Sequence, residues 1–317
     1  MLIFGPVPSR RLGRSLGINN IPPKACSYSC VYCQVGPTAI TQITPQTFYT
    51  SEQIYQEVKQ HLDQINKAGE PVDYLTFVPD GEPTLDSRLS ESIERLRPLG
   101  IPIAIISNAS LIWREAVRDT LAMADWVSLK VDAVDEMLWR RINRPQASLD
   151  LPAILDGVLT FAGGFNGTLA TESMLVKGLN DTDQSAKDLA GFLAKLAPDI
   201  AYLSIPTRPP TEKRVHAPDE VTLNRIFQIV NQQVDRLELM TVYEGNAFAS
   251  TGDAAEDLQS ITAVHPMREE AVRELLAKTN TDWHLVEKLI EEGHLLKTEY
   301  EGRNFYVRRL QDISKKL

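Results

Sequence analysis

The chain has 317 residues, 43% apolar and 24% charged, with a net charge of −9, enough for one large α/β domain and a small appendage. A balance this acidic argues against a surface held on nucleic acid mainly by phosphate contacts. No apolar run approaches the ~20 residues that span a bilayer, the N-terminus lacks the apolar core of an export signal, and free thiols then imply a reducing cytoplasm.

Before the first cysteine the only charges are Arg10, Arg11, Arg14 and Lys24. All three cysteines, Cys26, Cys30 and Cys33, then fall within eight residues. Three thiolates leave a four-ligand metal site open, so a cubane cluster held this way keeps one iron free for a small molecule. A disulfide framework would need an even count and a secreted context. A zinc site needs a fourth ligand, and the nearest histidine, His61, belongs to an amphipathic helix; completion from a distance stays open. Inert buried cysteines fit poorly in a Pro-, Ser- and Tyr-rich segment without an apolar period.

Thr50 and Gln53 form a predicted capping box, followed by Ile54, Val58, Leu62 and Ile65 on one helical face. Gly69-Glu70-Pro71 ends that helix, and Tyr74–Val78 reads as a strand. Leu89, Ile93 and Leu96 stripe a second helix before an apolar strand from Ile101 to Ile106. Further strands are expected at Trp126–Val131, Thr168–Val176, Ala201–Ile205 and Leu237–Tyr243, with helices between them, one starting near Pro218. Repeated βα units with doubly buried strands predict a parallel sheet, and ligands bind at the carboxyl ends of such strands. Residues 250–263 read as a polar linker. Helices over Met267–Lys278 and Asp282–Glu292 follow, then a hairpin of Leu295–Tyr300 and Asn304–Arg309. The expected organisation is 1–249, a linker at 250–263, and a winged-helix-like unit at 264–317. Residues 262–317 carry 10 basic and 10 acidic side chains, so no strong charge footprint marks that unit.

The C-x3-C-x2-C spacing, with Tyr32 just before the last cysteine, resembles the signature of the radical S-adenosylmethionine (SAM) enzymes. The turn Pro79-Asp80-Gly81-Glu82-Pro83 resembles that family's Gly-Gly-Glu-Pro motif, with Asp80 in place of the first Gly. The resemblance implies that Cys26, Cys30 and Cys33 hold a [4Fe-4S] cluster whose open iron takes the amino and carboxylate groups of SAM. It also implies that Asp80, Gly81 and Glu82 lie at the SAM site, with Glu82 on the ammonium and Ser107 and Asn108 toward the ribose or carboxylate. A plain Asx turn is the competing reading of Ser107-Asn108. Tyr32 is either an adenine platform or a core residue. Lys130, between an apolar strand and Asp132, is a buried ion-pair member or a cofactor contact.

Gly5–Gly17, Pro22-Pro23-Lys24, Cys33-Gln34-Val35-Gly36, Asn143-Arg144-Pro145 and Arg208-Pro209-Pro210 resemble a subgroup related to 4-demethylwyosine synthase, a tRNA-modifying enzyme. That similarity implies a partial (β/α)6 barrel, with the cluster in the loop after the first strand. The second-cluster cysteines of those enzymes are missing here, which separates mechanism from product. The implied reaction is reductive cleavage of SAM to a 5′-deoxyadenosyl radical, with flavodoxin or ferredoxin as electron donor and RNA or protein as substrate. No side chain is assigned as a catalytic acid or radical carrier. The rival reading is a non-catalytic iron–sulfur regulator that binds DNA.

Overall fold

The computed structural model describes residues 2–38, 40–67, 69–241 and 248–309. The N-terminal run, where the residue pattern marks no strand and only the resemblance places one before the cysteine loop, folds as an antiparallel hairpin of β1 (Ile3–Ser9) and β2 (Gly13–Ile18). Pro6, Pro8 and the arginines mask the apolar period, yet Phe4, Val7, Leu16 and Ile18 are buried. Helix α1 (Ser51–Lys67) starts at the expected capping box. Thr50 N donates to Gln53 Oε1 at 2.9 Å and Gln53 N to Thr50 Oγ1 at 3.1 Å.

The strands β3 (Tyr74–Phe77), β4 (Ile103–Ser107), β5 (Trp126–Lys130), β6 (Thr168–Met174), β7 (Ile200–Ser204) and β8 (Leu237–Met240) follow β2 in one sheet. Strand order equals chain order, and every pair from β2 onward is parallel. β4 starts two residues later than expected, after Pro102, which has no N–H for the ladder. The end expected for β8 at Val242 and Tyr243 lies outside the described residues.

Helices α2 (Leu89–Leu96), α3 (Glu115–Leu121), α4 (Glu136–Asn143), α5 (Leu151–Ala162), α6 (Asp183–Leu196) and α7 (Glu220–Asn231) separate the strands. α7 begins after Pro218, with Asp219 as its cap accepting from Thr222 N at 2.8 Å. Arg11, in the β1–β2 turn, reaches Glu172 on β6 at 2.5 Å. β6 is four strands from β2, about 19 Å in a flat sheet at ~4.8 Å per strand. An arginine cannot span that, so the sheet curls around the turn as a partial barrel.

The stretch read as a linker is a correction: Ala254–Val264 is helix α8. Its many small residues hide an apolar face, and buried Leu258 and Ile261 pack in one cluster with Phe4 and Val7 of β1. Beyond it come β9 (Met267–Arg268), α9 (Glu269–Lys278), α10 (His284–Glu291), β10 (Leu295–Tyr300) and β11 (Arg303–Arg308). Met267 and Arg268, expected to begin a helix, instead pair with Tyr306 and Phe305 of β11, giving a sheet ordered β10-β11-β9. The hairpin turn has Glu301 and Gly302 at φ of 50° and 70°, as a two-residue primed turn requires. No described helix is long and apolar enough to cross a membrane.

Candidate active site

The cysteine loop leaves the carboxyl end of β2 and is tied down from three directions. Lys24 N donates to Asp80 O at 2.8 Å and Glu82 N to Ala25 O at 3.0 Å, lacing the loop to the turn after β3. Gly81 makes that contact sterically permissible: a Cβ there would stand 2.0 Å from the Ala25 carbonyl oxygen. Its close approach is thus to the cysteine loop. Val31 N donates to Ile142 O at 2.9 Å and Ser29 N to Asn143 O at 3.0 Å, from the end of α4. Thr211 N donates to Cys33 O at 2.8 Å, and Arg208 Nη1 to Gln34 Oε1 at 3.0 Å. The Asn143-Arg144-Pro145 and Arg208-Pro209-Pro210 segments are therefore clasps on the cysteine loop.

Glu82 is 0% exposed. Its Oε1 accepts from Thr84 N, Thr84 Oγ1 and Ser107 Oγ at 3.1, 2.7 and 2.8 Å, and its Oε2 from Asn108 N at 2.7 Å. Burial raises its pKa while these donors pull it down. The carboxylate joins the β3 and β4 ends, so the expected Ser107 and Asn108 do meet Glu82. Asp80 is 3% exposed and its Oδ1 has no hydrogen-bond partner among the described residues. Burial pushes it up to about 7, against the pull of Lys24 and Arg308.

Tyr32 points inward. Its hydroxyl bonds Asp132, and Lys130 Nζ lies 5.0 Å from its ring centre. Lys130 donates to Glu172 Oε1 at 2.9 Å, and Ser204 Oγ does so at 3.0 Å. Burial alone would lower Lys130, but Glu172, Asp132 and Cys30 together outweigh it and the net direction is up. Burial would likewise raise Glu172, yet Lys130 and Arg11 hold it far below the usual carboxylate range. Lys130 is thus both the ion-pair member and a neighbour of the cysteine loop.

The three thiols are partly buried. Burial raises Cys26 and pushes Cys30 up to about 12, so these two bare thiols stay protonated, and as ligands they would need a cationic group to supply the opposing charge. Each sulfur has a side-chain nitrogen nearby: Asn108 Nδ2 at 3.6 Å from Cys26, Asn143 Nδ2 at 3.4 Å from Cys30, and Lys24 Nζ at 3.4 Å from Cys33. Among the described residues, no group of His, Cys, Asp or Glu is placed to hold a metal ion as it stands. The donor chemistry nevertheless fits an iron–sulfur cluster, whose ligand sulfurs accept hydrogen bonds. Sequence reasoning missed Lys24 and Asn143 as neighbours of the sulfurs, and Arg11 as a partner of Glu172. No local signal pairs Asn143 or Arg11 with its partner, since Asn143 is 113 positions from Cys30 and Arg11 is 161 from Glu172, whereas Lys24 is only nine from Cys33.

A cavity of about 1030 Å³ opens beside the cysteine loop, with Cys33 and Gly36 on one side and the β10–β11 hairpin on the other. Its ionisable wall includes Lys297, Arg308 and Arg309 against Glu292.

A curled parallel sheet with a three-cysteine loop at its carboxyl edge defines an α/β protein with a thiol-lined candidate site at its strand ends. The Radical SAM superfamily model matches residues 20–193, and the chain belongs to that superfamily. A UPF0026 protein of Methanocaldococcus jannaschii is 46% identical over 316 residues, covering 99% of this chain and 98% of that one. The solved structure of TYW1 with a lysine-pyruvate adduct bound aligns with TM-score 0.54 at 16% identity, over 70% of this chain and 74% of that one. Streptococcus suis SuiB bound to precursor peptide SuiA aligns with TM-score 0.52 at 15% identity, over 70% of this chain and 48% of that one. Both structures share the fold. The chain is a radical SAM enzyme rather than a non-catalytic regulator, and the family implies SAM and a [4Fe-4S] cluster.

Proposed function

We propose that Cys26, Cys30 and Cys33 hold a [4Fe-4S] cluster, with SAM beside it at the carboxyl ends of β3, β4 and β5, and that the enzyme modifies a macromolecule. When bound, the cluster and SAM supply one-electron reductive cleavage to methionine and a 5′-deoxyadenosyl radical, fed by flavodoxin or ferredoxin. The chain's own residues position and shield. Glu82 braces Ser107 and Asn108 against the cysteine loop and offers acceptor oxygens for the ammonium, while Gly81 keeps the two loops in contact. Lys130, held by Glu172, faces the same space as Tyr32. The observation that carries this reading is the cluster of three half-buried sulfurs, each beside a nitrogen donor, in a chain of this superfamily.

The substrate reading rests on the cavity. Its volume is at the top of the ~300–1,000 Å³ range of small-molecule pockets, and one wall comes from elements 264–317, which we read as a winged-helix-like unit. Three cations against one acid, in a protein of net charge −9, favour an anionic segment of RNA or protein.

Anaerobic reconstitution with iron and sulfide, then SAM and dithionite, tests the reading. The expected result is four irons per chain and release of 5′-deoxyadenosine, both lost in Cys30→Ala. A wild-type chain that binds zinc and cleaves no SAM would remove it. A mass change in RNA or protein co-purified anaerobically identifies the substrate.

A further inference from the structure

The three nitrogen donors around the sulfurs come from three different places. Lys24 lies in the cysteine loop, Asn108 follows β4, and Asn143 ends α4. Each is anchored a second time. Asn143 Nδ2 also donates to Asp132 Oδ2 at 2.7 Å, Asn108 Nδ2 to Ser27 Oγ at 3.0 Å, and Lys24 Nζ to the Gly36 carbonyl. Lys24 is also held at φ of 67°, a conformation that a non-glycine residue adopts only when its surroundings enforce it. A neutral thiol is a weak acceptor. Three anchored donors, one to each sulfur, suit thiolates instead.

We infer that Lys24, Asn108 and Asn143 are positioning residues that raise the reduction potential of the cluster held by these cysteines, Lys24 most of all. The inference rests on the cluster reading proposed above. Reduction adds one electron and no proton, so the reduced cluster carries one more negative charge on iron and sulfur. A hydrogen bond to a ligand sulfur stabilises that extra charge, and a cation beside it does so more strongly. Lys24 supplies both, whereas the two amides supply the hydrogen bond alone.

The test is a redox titration of the full reconstituted chain, followed by electron paramagnetic resonance without SAM or substrate. In Lys24→Met the ratio of reduced to oxidised cluster at the wild-type midpoint should fall on the order of tenfold, about 59 mV for a one-electron couple. Lys24→Gln keeps an N–H without the charge and should fall between the two. Asn143→Leu should shift the same way by less. Iron and sulfide content confirms that each variant carries its cluster, and Lys24→Met decides the matter if Asn143→Leu, which also strips Asp132 of a donor, does not fold. Unchanged midpoints at full cluster content overturn this inference and leave the cluster reading standing. A wild-type chain that takes up no cluster overturns both.

Discussion

Two buried carboxylates stand two residues apart on the turn after β3, and their company differs. Glu82 faces β4 and accepts four hydrogen bonds, whereas Asp80 faces Lys24 and Arg308 with one oxygen unpartnered. Burial raises both, so burial alone does not separate them. The donors do. On the Glu82 side the carboxylate is a structural joint between the β3 and β4 ends. On the Asp80 side it is a strained charge between the cysteine loop and the C-terminal hairpin, at the position where the family motif carries glycine.

The largest effect is expected from Glu82→Ala. It strips four donors of their acceptor and should cost on the order of 4 kcal/mol, read as a lower urea midpoint. SAM affinity in equilibrium dialysis should fall at least tenfold while the cysteines keep their cluster. Unchanged stability and affinity would dissolve the contrast between the two carboxylates.

Asp80→Asn should act in the opposite direction. The folded carboxyl sits at about 7 against an ordinary 3.8, so between those values the folded chain holds a proton that the unfolded chain has released. Stability from this group therefore falls as pH rises through that window and is flat above it. At pH 8, Asp80→Asn should gain roughly 2 kcal/mol, less than the roughly 4 kcal/mol implied by the full shift, because its amide is buried too. Below pH 4 the gain should vanish. Thermal unfolding at both pH values decides it, and a gain independent of pH would show that Asp80 is not held near neutrality.

Arg308→Ala sharpens the same comparison most gently. It removes one of the cations that pull Asp80 down, so the carboxyl should titrate still higher in a carbon-detected NMR titration, with a stability change under about 1 kcal/mol. No movement of Asp80 would mean that the hairpin does not sense the turn.

The cysteine loop was legible because its three cysteines lie within eight residues, and a local spacing survives in any fold. The parallel sheet was legible from Tyr74–Phe77, Trp126–Lys130 and Ile200–Ser204, whose apolar runs alternate with helical stripes. The β1–β2 hairpin was hidden by Pro6 and Pro8. Helix α8 was hidden by Ala254, Ala255 and Ser260, which carry little periodic signal although Leu258 and Ile261 sit in a core shared with Phe4.

The amino-acid sequence by itself determined the spacing of the three cysteines, the βα rhythm and the turn that carries Glu82, because each depends on neighbours a few positions apart. Only the tertiary structure decided which nitrogen serves which sulfur, which carboxylate is satisfied, and how Arg11 reaches Glu172. Apart from the Thr84 bonds to Glu82, those contacts join residues 9 to 161 positions apart, and their partners are set by the curl of the sheet and the crossing of loops at its edge, which no local pattern encodes.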